Sequence, residues 1–271
     1  MEGAGQAAQR ARGRAALTLR LRKEQSRIAR LVQAGSTKIL FPHPRGDACE
    51  AVWLNTAGGI TGGDDFALDV DLEDAARGVL TTQAAERIYR AVPGPAGRVA
   101  NTLTLGPGAE AAWLPQETIL FDGAALDRTL RIDMAGDARF LGCETLIFGR
   151  AAMGESVSEL RLRDRIDLRV DGRLAYADRL WIEGDAAAEL ARAHVAAGAR
   201  AVATLVLARP GAAAALSALR ADLPATAGAS ALSDDLVTAR LVAADGFEMR
   251  RVLVPLLARL SGRPLPRPWM I

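Results

Sequence analysis

The chain has 271 residues, of which 50% are hydrophobic, 4% are aromatic and 24% are charged, and its formal net charge is +2. This small charge argues against a dedicated nucleic-acid-binding protein, and no run approaches the roughly 18 apolar residues that a membrane span requires. Cys49 and Cys143 lie far apart without a C-x-x-C pair, which indicates neither a disulfide framework nor a zinc ribbon, so we predict a soluble, cytoplasmic protein.

The start of the chain is rich in arginine and poor in acidic residues. We predict a disordered leader over residues 1–16, followed by a first strand at 17–22, where leucines alternate with polar residues. The length fits one large domain or two intimate ones. We take residues 17–271 as a single domain that is β-rich to about residue 184 and mixed α/β from about residue 185.

Strand-like alternation dominates the first two-thirds of the chain, with turn signals about every 8–12 residues. After the first strand, the predicted strands are 27–33, 38–41, 48–54, 66–72, 78–83, 86–90, 98–105, 111–114, 118–121, 129–134 and 138–148. The clearest hairpin joins 158–170 to 173–183 through Asp171 and Gly172, a pair that suits a type I′ turn. This pattern favours a sandwich, a barrel or a β-helix-like stack over parallel α/β units.

The last third of the chain changes character. We predict a buried strand at 199–208, a helix at 212–223, a strand at 236–243 and the strongest helix at 247–260, while 186–197 fits a short helix or an ordered loop. Pro255 should kink or divide the helix at 247–260. The predicted fold is therefore mainly β, of β-helix-like or stacked-sheet architecture, with a small α-helical part in the C-terminal third.

A glycine-rich stretch follows the predicted strand at 48–54 and runs Asn55-Thr56-Ala57-Gly58-Gly59-Ile60-Thr61-Gly62-Gly63-Asp64. A phosphate-binding loop needs Lys and Ser or Thr after its last glycine, but Asp64 and Asp65 stand there. A dinucleotide fingerprint opens a helix, whereas residues 66–72 alternate like a half-buried strand. Nucleotide binding is therefore not expected, and a tight connection between two strands is the plainer interpretation.

Catalytic motifs are absent from the sequence: there is no G-x-S-x-G elbow and no H-E-x-x-H pair, and His43 and His194 are the two histidines. Some carboxylates, however, occupy positions where a solvated surface does not explain them. Glu144 lies within a nearly continuous apolar run at 140–148, so it must be paired, hydrogen-bonded or facing an internal aqueous space. The plain alternatives are that Glu144 pairs with a buried arginine and that Asp64 caps a turn.

Several motifs together carry a family resemblance. The glycine-rich stretch is followed by Thr81-Thr82-Gln83-Ala84 and Tyr89-Arg90, then by Leu114-Pro115-Gln116-Glu117-Thr118, Phe121-Asp122, Gly149-Arg150, Met153-Gly154-Glu155 and Leu265-Pro266-Arg267-Pro268-Trp269. In this order they resemble the UreD family, called UreH in some organisms, an accessory protein of urease maturation. The resemblance covers the chain from about residue 51 to its C-terminus.

The resemblance implies a non-enzymatic protein with a predominantly β fold and a small helical part. It implies a hetero-oligomeric complex with UreF, with UreG recruited through UreF, and with apo-urease, to which nickel is delivered. It also implies a water-filled passage as the nickel route, with no tightly bound cofactor and nickel only in transit. A permanent nickel site would favour clustered histidines and cysteines, which this sequence lacks. Weak, exchangeable oxygen ligands would suit nickel in transit better than such a tight site.

Two sets of site residues follow as hypotheses. For the transient nickel passage we predict Asp64, Glu86, Glu144 and Asp178. For partner binding we predict apolar residues of the last helix and the tail, because a helix that is apolar over much of its circumference is either deeply buried or covered by a partner. These are Phe247, Val252, Leu256, Leu260 and Trp269.

Two other functions remain open from the sequence. A β-rich enzyme acting on a carbohydrate or small molecule could use paired carboxylates, but it would need two of them at a defined separation across a cleft. A purely structural interaction module would have no metal path. In that case, carboxylate variants would matter only when they unfold the protein or break binding.

Overall fold

The computed structural model describes residues 9–43, 46–150 and 153–270. Seventeen strands form within those ranges. In chain order they are β1 (Arg12–Arg22), β2 (Gln25–Gly35), β3 (Thr37–Leu40), β4 (Cys49–Asn55), β5 (Asp65–Leu72), β6 (Arg77–Thr82), β7 (Glu86–Ile88), β8 (Gly97–Leu105), β9 (Glu110–Leu114), β10 (Thr118–Leu120), β11 (Ala124–Met134), β12 (Arg139–Phe148), β13 (Leu160–Val170), β14 (Arg173–Gly184), β15 (Ala201–Ala208), β16 (Ala227–Ser233) and β17 (Leu236–Ala243).

The α-helices are short except for the last one, and all lie in the C-terminal third. They are α1 (Ala186–Ala191), α2 (Leu216–Asp222) and α3 (Gly246–Ser261), with 3₁₀ turns at Ala212–Ala215 and Arg267–Met270. None of the described helices combines the length and the apolar character that crossing a bilayer would require. The predicted fold class, mainly β with a small helical part near the C-terminus, is confirmed.

The strands form two sheets that stack like the faces of a solenoid. The first sheet has the order β14-β13-β11-β8-β5-β1-β2, and the second has the order β16-β17-β15-β12-β9-β6-β4-β3. From β4 to β13 the chain alternates between the two sheets except at two short strands of the second sheet, β7 and β10, which pair with each other, while β10 also pairs with β12. Neighbouring strands of each sheet run parallel in that region. Each coil of the solenoid therefore places one strand in the first sheet and one or two in the second, and side chains of the two inner faces meet between them.

Antiparallel strands cover both ends of this parallel stack. At one end β2 pairs with β1 and β3 pairs with β4, and at the other β14 pairs with β13 while β15, β17 and β16 extend the second sheet from β12. Asp171 and Gly172 link β13 to β14 with φ values of 48° and 76°. Positive φ at both central residues is the requirement of a type I′ turn, as the sequence predicts.

Three apolar cores stabilise the fold. Between the sheets, the Leu17 core includes Leu17, Leu68, Leu103, Leu130, Phe140, Ile166 and Val206, and the Phe66 core includes Ile60, Phe66, Val99, Leu126, Leu146 and Leu162. The helix core includes Leu141, Cys143, Leu205, Leu207, Leu253, Leu257 and Trp269. Because alternate residues of β12 and β15 belong to different cores, α3 packs on the outer face of the second sheet.

The first strand begins at Arg12, whereas the sequence predicted a leader to residue 16. The inner positions at its start are Gly13 and Ala15, which are too small to produce a visible alternation of large apolar residues. Gly13 is required there, because a Cβ atom would come 2.5 Å from Cδ1 of the Phe66 ring. Residues 1–8 of the predicted leader lie outside the described residues.

Two further differences concern the last third. The strand β16 was not predicted, because its sequence Ala-Gly-Ala-Ser-Ala-Leu-Ser contains neither β-branched nor aromatic residues. The prediction that Pro255 could divide the last helix is wrong, since α3 continues through it. Leu253, Leu256 and Leu257 are buried around the proline, and their packing offsets the hydrogen bond that it removes.

Candidate functional site

The glycine-rich stretch is a tight connection between β4 and β5 that packs against the strand β7 and the residues after it. The amide of Ile60 donates to the carbonyl oxygen of Arg87 at 2.8 Å, and the amide of Tyr89 donates to the carbonyl oxygen of Ile60 at 2.8 Å. Gly59 has φ 155°, and a Cβ atom there would lie 2.2 Å from Cε2 of Tyr89. The two sequence motifs are thus in direct contact, and the glycines allow that close approach.

Asp64 fixes this loop to the first strand. Its Oδ1 accepts a hydrogen bond from the amide of Ala11 at 2.8 Å, and its Oδ2 accepts one from the amide of Thr61 at 2.9 Å. The side chain is 5% exposed. Both carboxylate oxygens are therefore engaged by backbone amides, which is the turn-capping role that the sequence offered as the alternative.

Buried polar side chains occupy one common level between the two sheets. In β11, Arg128 stands between Leu126 of the Phe66 core and Leu130 of the Leu17 core. Residues of four other strands take equivalent positions between the two cores, and together with Arg128 we call them the polar layer. They are Asn101 in β8, Glu144 in β12, Asp164 in β13 and Thr204 in β15.

Arg128 holds two carboxylates of this layer. Its Nε and Nη2 donate to the two oxygens of Asp164 at 2.8 and 2.7 Å, and its Nη1 lies 2.6 Å from Oε2 of Glu144. The same Nη1 also donates to Oγ1 of Thr118 at 3.0 Å, while the indole of Trp113 donates to Oε1 of Glu144 at 2.7 Å. Glu144 therefore pairs with a buried arginine, and both of its oxygens have partners.

The charges of this group perturb one another. Burial opposes the charge on Arg128, but Asp164 and Glu144 together raise the pKa of the guanidinium above its usual value. Burial raises the pKa of Glu144, and although Arg128 opposes the rise, the charge on Asp164 adds to it. Two carboxylates share one guanidinium, so the group carries an excess of negative charge when both are ionised.

An inner cavity of about 40 Å³ opens beside the polar layer. Its lining combines apolar side chains with polar residues of both sheets, and the latter include Glu86, Asn101, Gln116, Thr118, Arg128 and Glu144. Within the described ranges, Oδ1 of Asn101 and Nε2 of Gln116 are buried without a hydrogen-bond partner. The volume suits about three water molecules, and water can satisfy both an orphan acceptor and an orphan donor.

Glu86 lies at the boundary between this inner cavity and an outer pocket. The outer pocket has a volume of about 140 Å³ and shares Trp53, Thr82 and Glu86 with the inner cavity. Oε2 of Glu86 accepts a hydrogen bond from Nδ2 of Asn55 at 3.2 Å. Burial raises the pKa of Glu86 to about 7, although this hydrogen bond and the amide of Arg87 oppose the rise.

The polar layer continues to the edge of the first sheet on its other side. Thr204 lies opposite Glu144 in the pairing of β12 with β15, and its hydroxyl donates to Oδ2 of Asp178 at 3.3 Å. Nη2 of Arg240 lies 2.5 Å from the same oxygen. Asp178 is therefore paired at the far end of a polar path that begins near Glu86.

Gln116 is held in place by the last helix. Nη1 of Arg250 in α3 donates to Oε1 of Gln116 at 2.7 Å and to Oε1 of Glu117 at 3.0 Å. Nη2 of the same arginine donates to the carbonyl oxygen of Trp269 at 3.1 Å. This network links α3 and the C-terminal tail to one wall of the inner cavity.

The structure brings together only part of the predicted passage. Glu86 and Glu144 line one cavity, Asp178 lies beyond Thr204 on the other side of Glu144, and Asp64 lines neither the cavity nor the outer pocket. Sequence reasoning missed the remaining members of the layer, which are Asn101, Arg128, Asp164 and Thr204. A signal for them existed, because each interrupts the apolar phase of its strand with a polar side chain.

The predicted partner-binding residues divide into two groups. Phe247 is 69% exposed and Val252 is half-buried, whereas Leu256, Leu260 and Trp269 are buried in the helix core. The indole of Trp269 donates to the carbonyl oxygen of Leu114 at 2.9 Å. For the buried three, the chain itself supplies the covering surface, so a partner on the native fold would meet α3 mainly through Phe247 and Val252.

The chemistry open to this site is limited. Across residues 9–43, 46–150 and 153–270, no three side chains of His, Cys, Asp or Glu cluster closely enough to hold a metal ion. A cavity for about three waters is too small for a sugar ring between paired carboxylates, which disfavours a glycosidase-like reaction there. Oxygen atoms of separate side chains line the cavity, rather than a cluster of metal ligands.

Comparison with known proteins places this chain in a family. The family model described as UreD urease accessory protein matches residues 11–270. The chain is 46% identical to the urease accessory protein UreD of Ruegeria sp. (strain TM1040), over 97% of this chain and 91% of that protein. It is 45% identical to the urease accessory protein UreD of Ruegeria pomeroyi, over 94% of this chain and 99% of that protein. It is also 45% identical to the urease accessory protein UreD of Methylobacterium sp. (strain 4-46), over 96% of this chain and 95% of that protein. The chain belongs to the UreD family of urease accessory proteins.

Proposed function

We propose that this protein acts in urease maturation as a non-catalytic scaffold that supports nickel insertion. In this role it binds UreF, through it UreG, and also apo-urease, in the cytoplasm. The observation that carries the proposal is the polar layer, which crosses an otherwise apolar interior and is flanked by a cavity lined by Glu86 and Glu144. Such a layer is costly to bury, and a path for a hydrated ion is a function that requires it.

Nickel would enter this path at the outer pocket and meet Glu86 first. Glu144 is held by the guanidinium of Arg128 and the indole of Trp113, whereas Glu86 accepts only hydrogen bonds from uncharged donors, the amide of Arg87 and Nδ2 of Asn55. Glu86 is therefore the carboxylate of the inner cavity that exchanges ligands most readily. The ion would then pass the amide oxygen of Asn101 and continue towards Asp178. Isolated oxygen ligands bind nickel weakly, and weak binding suits transfer.

The exposed part of α3 is the surface that we assign to UreF. Phe247 projects from the first turn of the helix with most of its ring in solvent. Arg250, one turn further along, contacts Gln116 at the wall of the inner cavity. A protein that covers Phe247 and Val252 would therefore sit beside the network that holds this wall.

Co-expression with UreF and UreG tests the function directly. The complex would be isolated and added to apo-urease with nickel, and urease activity would be measured. A stable complex that activates urease supports the scaffold function, and binding without activation supports the purely structural module instead. A folded chain that binds neither protein would contradict the proposal.

Site variants test the path separately from the assembly. We expect Glu86→Ala to form the complex but to slow nickel-dependent activation, because it removes the ligand at the boundary of the two pockets. Glu189→Ala is a matched control, since Glu189 lies in α1, is exposed and pairs with Arg192 on the surface. Equal activation rates for both variants and the wild type would exclude Glu86 from the path.

A further inference from the structure

The outer face of the first sheet carries an exposed tryptophan. Trp181 in β14 is 65% exposed, whereas Trp113 and Trp269 are 3% exposed and Trp53 is half-buried. The guanidinium carbon of Arg163 in β13 lies 4.7 Å from the centroid of the Trp181 ring. An exposed tryptophan ring costs free energy in water, and tryptophan and arginine are both among the residues enriched at the energetic centres of protein interfaces.

Basic residues surround this tryptophan. The outward positions of β13 are Arg161, Arg163, Arg165, Asp167 and Arg169, so four of the five are arginines. Arg165 pairs with Asp127 of β11, but no described carboxylate pairs with Arg161, Arg163 or Arg169. Arg161 and Arg169 instead donate to the carbonyl oxygens of Gly94 and Gly172. We call Trp181 and these four arginines the Trp181 face, and its charge is complementary to an acidic surface.

The residues of this face favour a different folded protein as its binding partner, rather than nucleic acid or a second copy of this chain. Asp127 and Asp167 pair with Arg165 and Arg179 on this face, so its positive charges are separated rather than arranged in the continuous basic stripe that binds a phosphate backbone. Two copies of the face would bring unpaired arginines together, which disfavours a symmetric dimer. An apolar centre within a charged surround is instead the usual anatomy of a protein–protein interface.

The Trp181 face lies on the opposite side of the molecule from the part of α3 that we assign to UreF. Helix α3 covers the outer side of the second sheet, while the Trp181 face is the outer side of the first sheet. Trp181 also lies three residues from Asp178, the far end of the polar path, in the same strand. The two side chains point to opposite faces of the sheet, but β14 is its edge strand, so a partner on this face that also wraps around that edge would approach the end of the proposed nickel path.

We propose that the Trp181 face is the docking surface for an acidic region of apo-urease. This inference rests on the proposed function, which makes apo-urease the recipient of nickel. The Trp181 ring packs against the partner at the centre of the contact. Arg161, Arg163 and Arg169 pair with carboxylates around it.

A double variant with a matched control tests the assignment. Trp181→Ala with Arg163→Ala removes the centre of the face, while Val32→Ala with Arg30→Ala removes an exposed apolar residue and an arginine from β2 at the other edge of the same sheet. Binding of purified apo-urease would be measured for both and for the wild type. We expect the Kd of the Trp181 pair to rise at least tenfold, that of the control to stay within twofold, and wild-type binding to weaken with salt.

A cross-linking measurement keeps the test valid if that variant fails to fold. A photo-reactive amino acid would replace Ala177, an exposed residue of β14 on the same side as Trp181, and in a control protein Ala34 of β2. Irradiation with apo-urease, UreF and UreG all present should join the Ala177 position to apo-urease and leave the Ala34 position unlinked.

Three results would overturn the assignment. The first is a folded double variant whose Kd for apo-urease equals that of the wild type. The second is cross-linking from position 177 to UreF or UreG. The third is nucleic-acid binding by the wild type that the double variant abolishes. A wild-type chain that activates urease while the double variant does so equally well would refute this docking surface and leave the proposed function standing. A wild-type chain that cannot activate urease would instead remove the proposed function itself.

Discussion

Nη1 of Arg128 lies 2.6 Å from Oε2 of Glu144, although the two residues belong to opposite sheets. This ion pair crosses the interior between the Leu17 core and the Phe66 core, beside the inner cavity. It therefore joins the two sheets through an electrostatic contact within the polar layer. Its energetic role can be measured by removing the guanidinium.

Replacement of Arg128 by methionine should be strongly destabilising. The variant leaves Glu144 and Asp164 buried without their shared cation, and we expect a loss of about 3–5 kcal/mol in the free energy of unfolding. Urea denaturation would measure it. Arg131→Met in the same strand is the control, because Arg131 is exposed and pairs with Asp133 on the surface, so its unfolding curve should match that of the wild type. Equal curves for all three proteins would contradict the burial of the charge group.

The stability of the chain should fall with rising pH because of Glu86. Its pKa in the folded protein is about 7, against a usual value near 4.5, so the folded state binds more protons than the unfolded state between these values. Stability is then lost as the pH rises from about 4.5 to about 7. The Glu86→Gln variant lacks this loss and should be more stable than the wild type by about 1–3 kcal/mol at pH 8, with no advantage at pH 4.

Thermal unfolding of both proteins across this pH range provides the measurement. Glu189→Gln, at an exposed position of α1, should follow the wild-type curve at every pH. A constant difference between Glu86→Gln and the wild type would mean that Glu86 does not titrate abnormally.

Removal of the Asp64 carboxylate should loosen the start of the chain. Asp64→Ala leaves the amides of Ala11 and Thr61 without their acceptors, and we expect a loss of about 2–4 kcal/mol. Asp65→Ala should cost about 1 kcal/mol or less, because its pair with Arg14 is partly exposed. Hydrogen exchange at the Ala11 and Thr61 amides should accelerate only in Asp64→Ala, and unchanged exchange there would disprove the capping role.

Two adjacent glycines should differ in their tolerance of alanine. At Gly59 a Cβ atom would lie 2.8 Å from the carbonyl oxygen of Arg87, so Gly59→Ala must displace backbone and should cost about 2–5 kcal/mol. At Gly58, with φ 82°, a Cβ atom meets nothing within 4 Å, and Gly58→Ala should cost about 1 kcal/mol from backbone strain alone. Guanidinium unfolding would compare them, and similar losses would argue against the close contact between the two motifs.

Local sequence patterns predicted the elements whose structure is decided locally. The alternation in β5 is an example, because Phe66, Leu68, Val70 and Leu72 are buried while the residues between them are not. The turn at Asp171 and Gly172 is another, since its φ values are a property of those two residues. Patterns failed where the inner residues are small, as at Gly13 and Ala15, and where a strand has low propensity, as in β16.

The candidate site was predictable in kind but not in its contacts. The apolar run around Glu144 required a partner or water, and the structure supplies both Arg128 and the inner cavity. Arg128 could not be chosen from the 32 arginines of the chain, because it comes from a different sheet and its proximity depends on how the coils stack. Likewise, the apolar character of Leu256 and Trp269 could not distinguish burial inside the chain from burial against a partner.

The antiparallel strands at both ends of the solenoid have a consequence for how the protein assembles. A parallel stack that ended abruptly would present strand edges on which further coils, or further molecules, could add without limit. Here β2, β3, β14 and β16 reverse direction at the four edges of the two sheets and interrupt the parallel repeat. Fibre-like growth by continued parallel stacking is thereby discouraged, which leaves the side chains of the outer faces available for complexes of defined size.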